Sequence, residues 1–143
     1  MLVKQTIALG ADHRGFVLKK KLLDEMALFF VDCGAFSADR SDYPIFAQAV
    51  VAKILEKEAG AGILLCGTGA GMAMAANRTK GIRAAVAWNE EIAQRVKEED
   101  NCNVLVLPAD YVTPVEAQDI VSAWLGATFK EGRYAKRLGL IDG

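Results

Sequence analysis

Residues 63–72 read Ile63-Leu64-Leu65-Cys66-Gly67-Thr68-Gly69-Ala70-Gly71-Met72. An apolar run arrives at a thiol, glycines follow at alternate positions, and Met72-Ala73-Met74-Ala75-Ala76-Asn77 then supplies small, helix-favouring residues. That order predicts a buried strand, a tight loop lined by backbone, and a helix start. Glycine at 67, 69 and 71 lets the main chain take positive φ and come close to a ligand. Amides at the following helix N-terminus favour an anion or a developing oxyanion. Cys66 stands at the entrance, where those donors would favour thiolate over thiol. The plainer reading of Cys66 is a small buried hydrophobe, as free cysteines often are.

Working outward, apolar runs alternate with helical patterns. Thr6–Leu9 reads as a first strand ending at Gly10, and Leu18, Leu22 and Met26 make the buried stripe of a first helix flanked by Lys19, Lys20 and Lys21. Leu28–Cys33 reads as strand two. Asp42-Tyr43-Pro44 opens helix two with Asp42 as its cap, and Phe46, Val50 and Ile54 face inward. Ile82–Ala87 is strand four, Asn89–Glu98 helix four and Asn103–Leu107 strand five. Thr113-Pro114-Val115-Glu116 has the pattern of a capping box, and opens helix five. The tail 126–143 carries Lys130, Arg133, Lys136 and Arg137 and reads as partly helical. Met72 and Met74 are expected in the core, and Cys33 and Cys102 as structural.

Alternating strands and helices, with strands apolar on both faces, predict a three-layer α/β/α sandwich around a five-stranded parallel sheet, Rossmann-like and filling residues 1–143 as one domain. Ligands of such sheets bind beyond the carboxyl ends of the strands. Asp12, His13, Cys66 and Thr68 all fall there. Asp12 also suits a cap for helix one, His13 a turn residue, and Tyr43 simple packing.

The 143 residues are 52% hydrophobic with a net charge of −1, and no polybasic arm points to nucleic acid or a membrane surface. Met1–Gln5 lacks the layout of a secretory leader. Three cysteines without metal-ligand spacing and a single histidine argue against a disulfide scaffold and a metal site. The expectation is a reduced, cytoplasmic protein with no cofactor. The glycine loop lacks the Gly-Lys-Ser/Thr of a P-loop, and Met72 stands where a dinucleotide fingerprint wants its third glycine. Met72 also takes the place of the arginine that a cysteine-dependent phosphatase needs.

Gly-Ala-Asp-His at 10–13, Asp-Tyr-Pro at 42–44, Cys-Gly-Thr-Gly-x-Gly at 66–71, Ala-Ala-Asn at 75–77, Gly-Ile-Arg-Ala at 81–84 and Gly-Arg-x-x-x-Arg at 132–137 recur in order. In these, the chain resembles, end to end, ribose-5-phosphate isomerase B and its relatives, which include the galactose-6-phosphate isomerase subunits. The resemblance implies a metal-free aldose–ketose isomerase working through a cis-enediolate, with Cys66 as the base. It implies oxyanion stabilisation by Thr68 and the loop Gly67, Gly69, Ala70 and Gly71. Asp12 would bind sugar hydroxyls, Tyr43 would wall the pocket, and His13, Arg133 and Arg137 would hold the phosphate. The family builds its sites at a homodimer interface, alone or in a dimer of dimers, with the tail reaching a neighbour's pocket.

The chain departs from the family pattern at three positions. Glu99 stands where the family commonly has the histidine credited with ring opening, Asp100 where it has a sugar-contacting asparagine, and Asp110 where an arginine near the phosphate is expected. These departures leave open that Glu99 or His13 takes over the acid–base role for ribose 5-phosphate, or that the chain is an isomerase for an acyclic phosphate such as a tetrose, which needs no ring opener. They also leave open a non-catalytic sugar-phosphate-binding protein or one half of a hetero-oligomer. A flavodoxin-like carrier would suit the fold, but no residue supplies a flavin contact.

Overall fold

A computed structural model describes residues 5–143; Met1–Lys4, and with them most of the stretch read against a secretory leader, lie outside the described residues. β1 (Thr6–Ala11), α1 (Phe16–Glu25), β2 (Phe29–Asp32), α2 (Tyr43–Leu55), β3 (Ala61–Cys66), α3 (Ala70–Ala76), β4 (Ala84–Val86), α4 (Glu90–Asp100), β5 (Val104–Pro108), α5 (Pro114–Gly126) and α6 (Arg133–Asp142) follow one another. The sheet is wholly parallel in the order β2-β1-β3-β5-β4. β3 lies at its centre, every residue from Ala61 to Cys66 buried. The expected three-layer α/β/α fold is the one observed.

The core divides along the sheet. Ile7, Leu9, Ile63, Leu65, Leu105 and Leu107 face α1 and α5, with Trp124 fully buried among them. Ala8, Leu64, Val104 and Val106 face the other way, onto Val50 of α2 and Met72 of α3. Alternate residues of one strand therefore feed two cores, which is why these strands are apolar throughout. Glycine makes the close approach possible on the α2 side, since a methyl group at Gly62 would fall 2.5 Å from Val50 Cγ1.

Several expectations need correcting. Lys19 is not a solvated flank: it is 1% exposed, with Nζ donating to Asp32 Oδ1 at 2.5 Å and to the Ala35 carbonyl at 2.6 Å. Burying a lysine is tolerable only with such partners. Met26 packs against the core as expected but lies just past α1, as its C-cap. Asp42 sits at the α2 N-cap but makes no side-chain cap bond. Met74 is 57% exposed, on the outer face of α3. Strand four is only Ala84–Val86, because Asn77 and Asn103 side chains take the amides of Ala84 and Arg83. The capping box of α5 is formed as expected, Thr113 Oγ1 accepting from the Glu116 amide and Glu116 Oε1 from the Thr113 amide.

Candidate active site

The carboxyl ends of β1, β3 and β5 meet at one place. The Asp12 amide donates to the carbonyl of Leu65, the residue before Cys66, at 3.3 Å. On the other side the Ala109 amide donates to the Cys66 carbonyl at 2.9 Å and the Asp110 amide to the Gly67 carbonyl at 3.0 Å. Cys66 thus ends the central strand, 5% exposed, between the turns leaving its two neighbours.

The glycines of the loop are required by what lies on them. A methyl group at Gly71 would fall 2.6 Å from Cζ of the Tyr43 ring, so that ring lies directly on the loop. Tyr43 therefore borders the glycine loop while also packing against the core on the α2 side. Gly69 precedes α3 at φ +83, a left-handed conformation that side chains rarely adopt. The exposed Thr68 hydroxyl accepts the Ala70 amide at 3.2 Å. Its own proton is then free to be donated.

Asp12 is 4% exposed, and its Oδ1 accepts the amides of Arg14 at 2.9 Å and Gly15 at 3.1 Å. It organises the turn ahead of α1, whose N-cap is Gly15. His13 is fixed by a reciprocal pair: its amide donates to Ser41 Oγ at 3.1 Å, and Nδ1 accepts the Ser41 amide at 3.2 Å. With Nδ1 accepting, the neutral ring carries its proton on Nε2. The loop from Ser41 to Tyr43 is thereby tied to the β1–α1 turn.

The remaining expected residues are elsewhere. α4 runs antiparallel to the strands, so its last turn, with Glu99 and Asp100, lies at the amino edge of the sheet. An 11-residue helix spans about 16 Å, which separates these residues from Cys66. The tail follows them. The Lys130 amide donates to the Glu98 carbonyl at 2.9 Å, and Arg83 pairs with Asp142 at 3.6 Å. Arg133 donates to the Tyr134 hydroxyl at 3.0 Å, and Arg137 lies over the same ring at 5.7 Å. Glu99 accepts from Arg95 Nε at 2.8 Å, and this bond holds its carboxyl below the usual carboxylate range despite partial burial. An ionised Glu99 can accept a proton but has none to donate near neutral pH. A cavity of about 510 Å3 opens at this same amino edge, lined in part by Arg83, Asp100, Cys102 and Asp142. Within one chain the expected site is therefore two half-sites on opposite edges.

One residue at the carboxyl edge was not foreseen. Arg14 follows His13 directly, and its Nε lies 3.5 Å from Asp110 Oδ2. The available signal was its place between Asp12 and Gly15 in the exit turn of β1.

A parallel sheet with a thiol and a glycine loop at the carboxyl end of its central strand defines an α/β enzyme with a small-molecule site at that edge. Comparison with known proteins narrows the class. The description Ribose/Galactose Isomerase matches residues 7–141. Ribose-5-phosphate isomerase B of Escherichia coli (strain K12) is 40% identical over 138 residues, 94% of this chain and 93% of that protein. A ribose 5-phosphate isomerase structure from Thermotoga maritima superposes with a TM-score of 0.92 at 42% identity, covering 96% of this chain and 97% of that one. The structure of ribose-5-phosphate isomerase B from Mycoplasma genitalium, solved with bound ribulose 5-phosphate, superposes with a TM-score of 0.88 at 39% identity, covering 96% and 93% of the two chains. The chain belongs to the ribose/galactose isomerase family. By class it is a sugar-phosphate aldose–ketose isomerase, as the sequence led us to expect.

Proposed function

We propose that the protein interconverts ribose 5-phosphate and ribulose 5-phosphate through a cis-enediolate, with Cys66 as the base. The observation that carries this reading is the placement of Cys66, at the lip of the central strand with the donor loop 67–71 directly after it. The Cys66 thiolate removes the proton from C2 of the open-chain aldose, and C1=C2 forms as negative charge develops on O1. The Thr68 hydroxyl and the loop amides stabilise that charge. The hydroxyl proton moves from O2 to O1, and the thiol returns its proton to C1. No atom is gained or lost. Asp12 and Tyr43 hold the sugar, and His13 Nε2–H faces its phosphate.

The second half of each site comes, in this reading, from another copy of the chain. Glu99, Asp100, Arg133 and Arg137 sit at the amino edge of their own sheet, too far away to serve their own Cys66. A homodimer, alone or paired into a dimer of dimers, brings the tail 126–143 of one protomer to the thiol of the next. Ionised Glu99 and the anionic Asp110 favour a second reading, in which an acyclic tetrose phosphate is the better substrate. Assaying five- and four-carbon phosphates side by side separates the two. Incubation in deuterated water tests the chemistry itself, since an isomerase washes out the C2 proton and a mere binding protein leaves it in place.

A further inference from the structure

Arg14 and Asp110 lie across the glycine loop and have no part in the scheme above. Their backbones are fixed from two directions. The Arg14 amide is held by Asp12 Oδ1 at 2.9 Å, and the Asp110 amide by the Gly67 carbonyl at 3.0 Å. Their side chains converge on Gly67, where a methyl group would fall 2.8 Å from Asp110 Oδ2, 3.0 Å from Arg14 Nη1 and 3.1 Å from Arg14 Cδ. The guanidinium therefore rests on the residue between Cys66 and Thr68. Its nearest approach to the carboxylate is through Nε at 3.5 Å, and among the described residues no hydrogen bond takes its Nη donors, which are most of the five of a guanidinium. The side chains are 59% and 39% exposed, and an ion pair so open to water adds little to stability.

From this geometry we infer that Arg14 binds the substrate's phosphate and that Asp110 is its positioning residue, holding the guanidinium over Gly67 with its Nη edge toward the ligand. The phosphate then sits between Arg14 and His13 Nε2–H, both carried by the β1–α1 turn. The inference rests on the sugar-phosphate reading above and adds to it a cation from the same protomer as the thiol. It also explains why the half-site needs completing. Asp110 offsets the charge of Arg14, so a dianion finds little net positive potential here until further cations arrive.

The test uses the full-length protein and two readouts, steady-state isomerisation of ribose 5-phosphate and calorimetric binding of ribose 5-phosphate and of inorganic phosphate. Arg14→Met should weaken phosphate binding and raise KM by about tenfold to hundredfold, the worth of a charge-assisted hydrogen bond. The fall in kcat/KM should reside in KM. Arg14→Lys should recover part of the loss, because it keeps the charge but not the fork. Asp110→Asn should raise KM by a smaller factor in the parent and change nothing in the Arg14→Met background. Unchanged phosphate binding in Arg14→Met, a loss confined to kcat, or a lowered KM in Asp110→Asn would each overturn the inference. If the parent binds ribose 5-phosphate in an Arg14-dependent way yet turns nothing over, the proposed reaction fails and the assignment of Arg14 stands. If the parent binds neither ligand, both fail.

Discussion

Mixing two inactive variants should regenerate activity. Cys66→Ala removes the proposed base from one set of chains, and Arg133→Met with Arg137→Met removes the tail cations from another. Within a chain the two groups lie at opposite edges of the sheet, separated by the length of α4, about 16 Å. No rotamer of an arginine closes that gap. In a twofold dimer, each mixed pair has one site with the intact thiol of one chain and the intact tail of the other, and one site with neither. Random reassociation makes half the dimers mixed, so about a quarter of all sites are whole. The assay is ribose 5-phosphate turnover below KM, after exchange in mild denaturant and once native mass spectrometry shows the statistical mixture. Activity near a quarter of the parent value is expected. A mixture no more active than its two components would refute the shared site.

Other outcomes follow from single contacts. Gly71→Ala places a methyl group 2.6 Å from the Tyr43 ring and should cost about 1–3 kcal/mol in denaturant unfolding, with a rise in KM as the wall shifts. Lys19→Met strands the Ala35 carbonyl and leaves the partly exposed Asp32 carboxylate bonded to the Gly34 amide; the loss should cost about 1–3 kcal/mol, read from the urea midpoint. Burial pushes the Cys102 thiol from 9.0 up to about 12. The unfolded chain therefore loses this proton first, and stability should fall by about 1.4 kcal/mol per pH unit between those values. Unfolding of the parent and of Cys102→Ala across that range checks it, the slope from this group vanishing in the variant.

The carboxyl edge was legible because its determinants are local. The spacing of Gly67, Gly69 and Gly71 after an apolar run fixes strand, loop and helix without reference to the rest of the chain, and Thr113 with Glu116 specifies a helix start by itself. The residues misread depend on distant partners. Lys19 looks solvated beside Lys20 and Lys21, and only Asp32 and Ala35, brought up by β2 and the loop after it, make its burial possible. Met74 lies in an apolar stretch, but a seven-residue helix against one face of a sheet has an outer side. Arg14 carries no pattern of its own, and its meaning lies in Asp110, 96 residues later in the sequence. The order of the motifs likewise conceals that the thiol and the tail arginines face opposite ways, which follows only from the direction of α4.

The sulfur of Cys66 is the centre of the proposed reaction, and its direct test is proton exchange at C2 of ribose 5-phosphate in deuterated water, catalysed by the parent and by Cys66→Ala. Loss of a positioned base should slow wash-out by about a hundredfold to ten-thousandfold, with ribose 5-phosphate still bound. Wash-out at the parental rate by Cys66→Ala would contradict it.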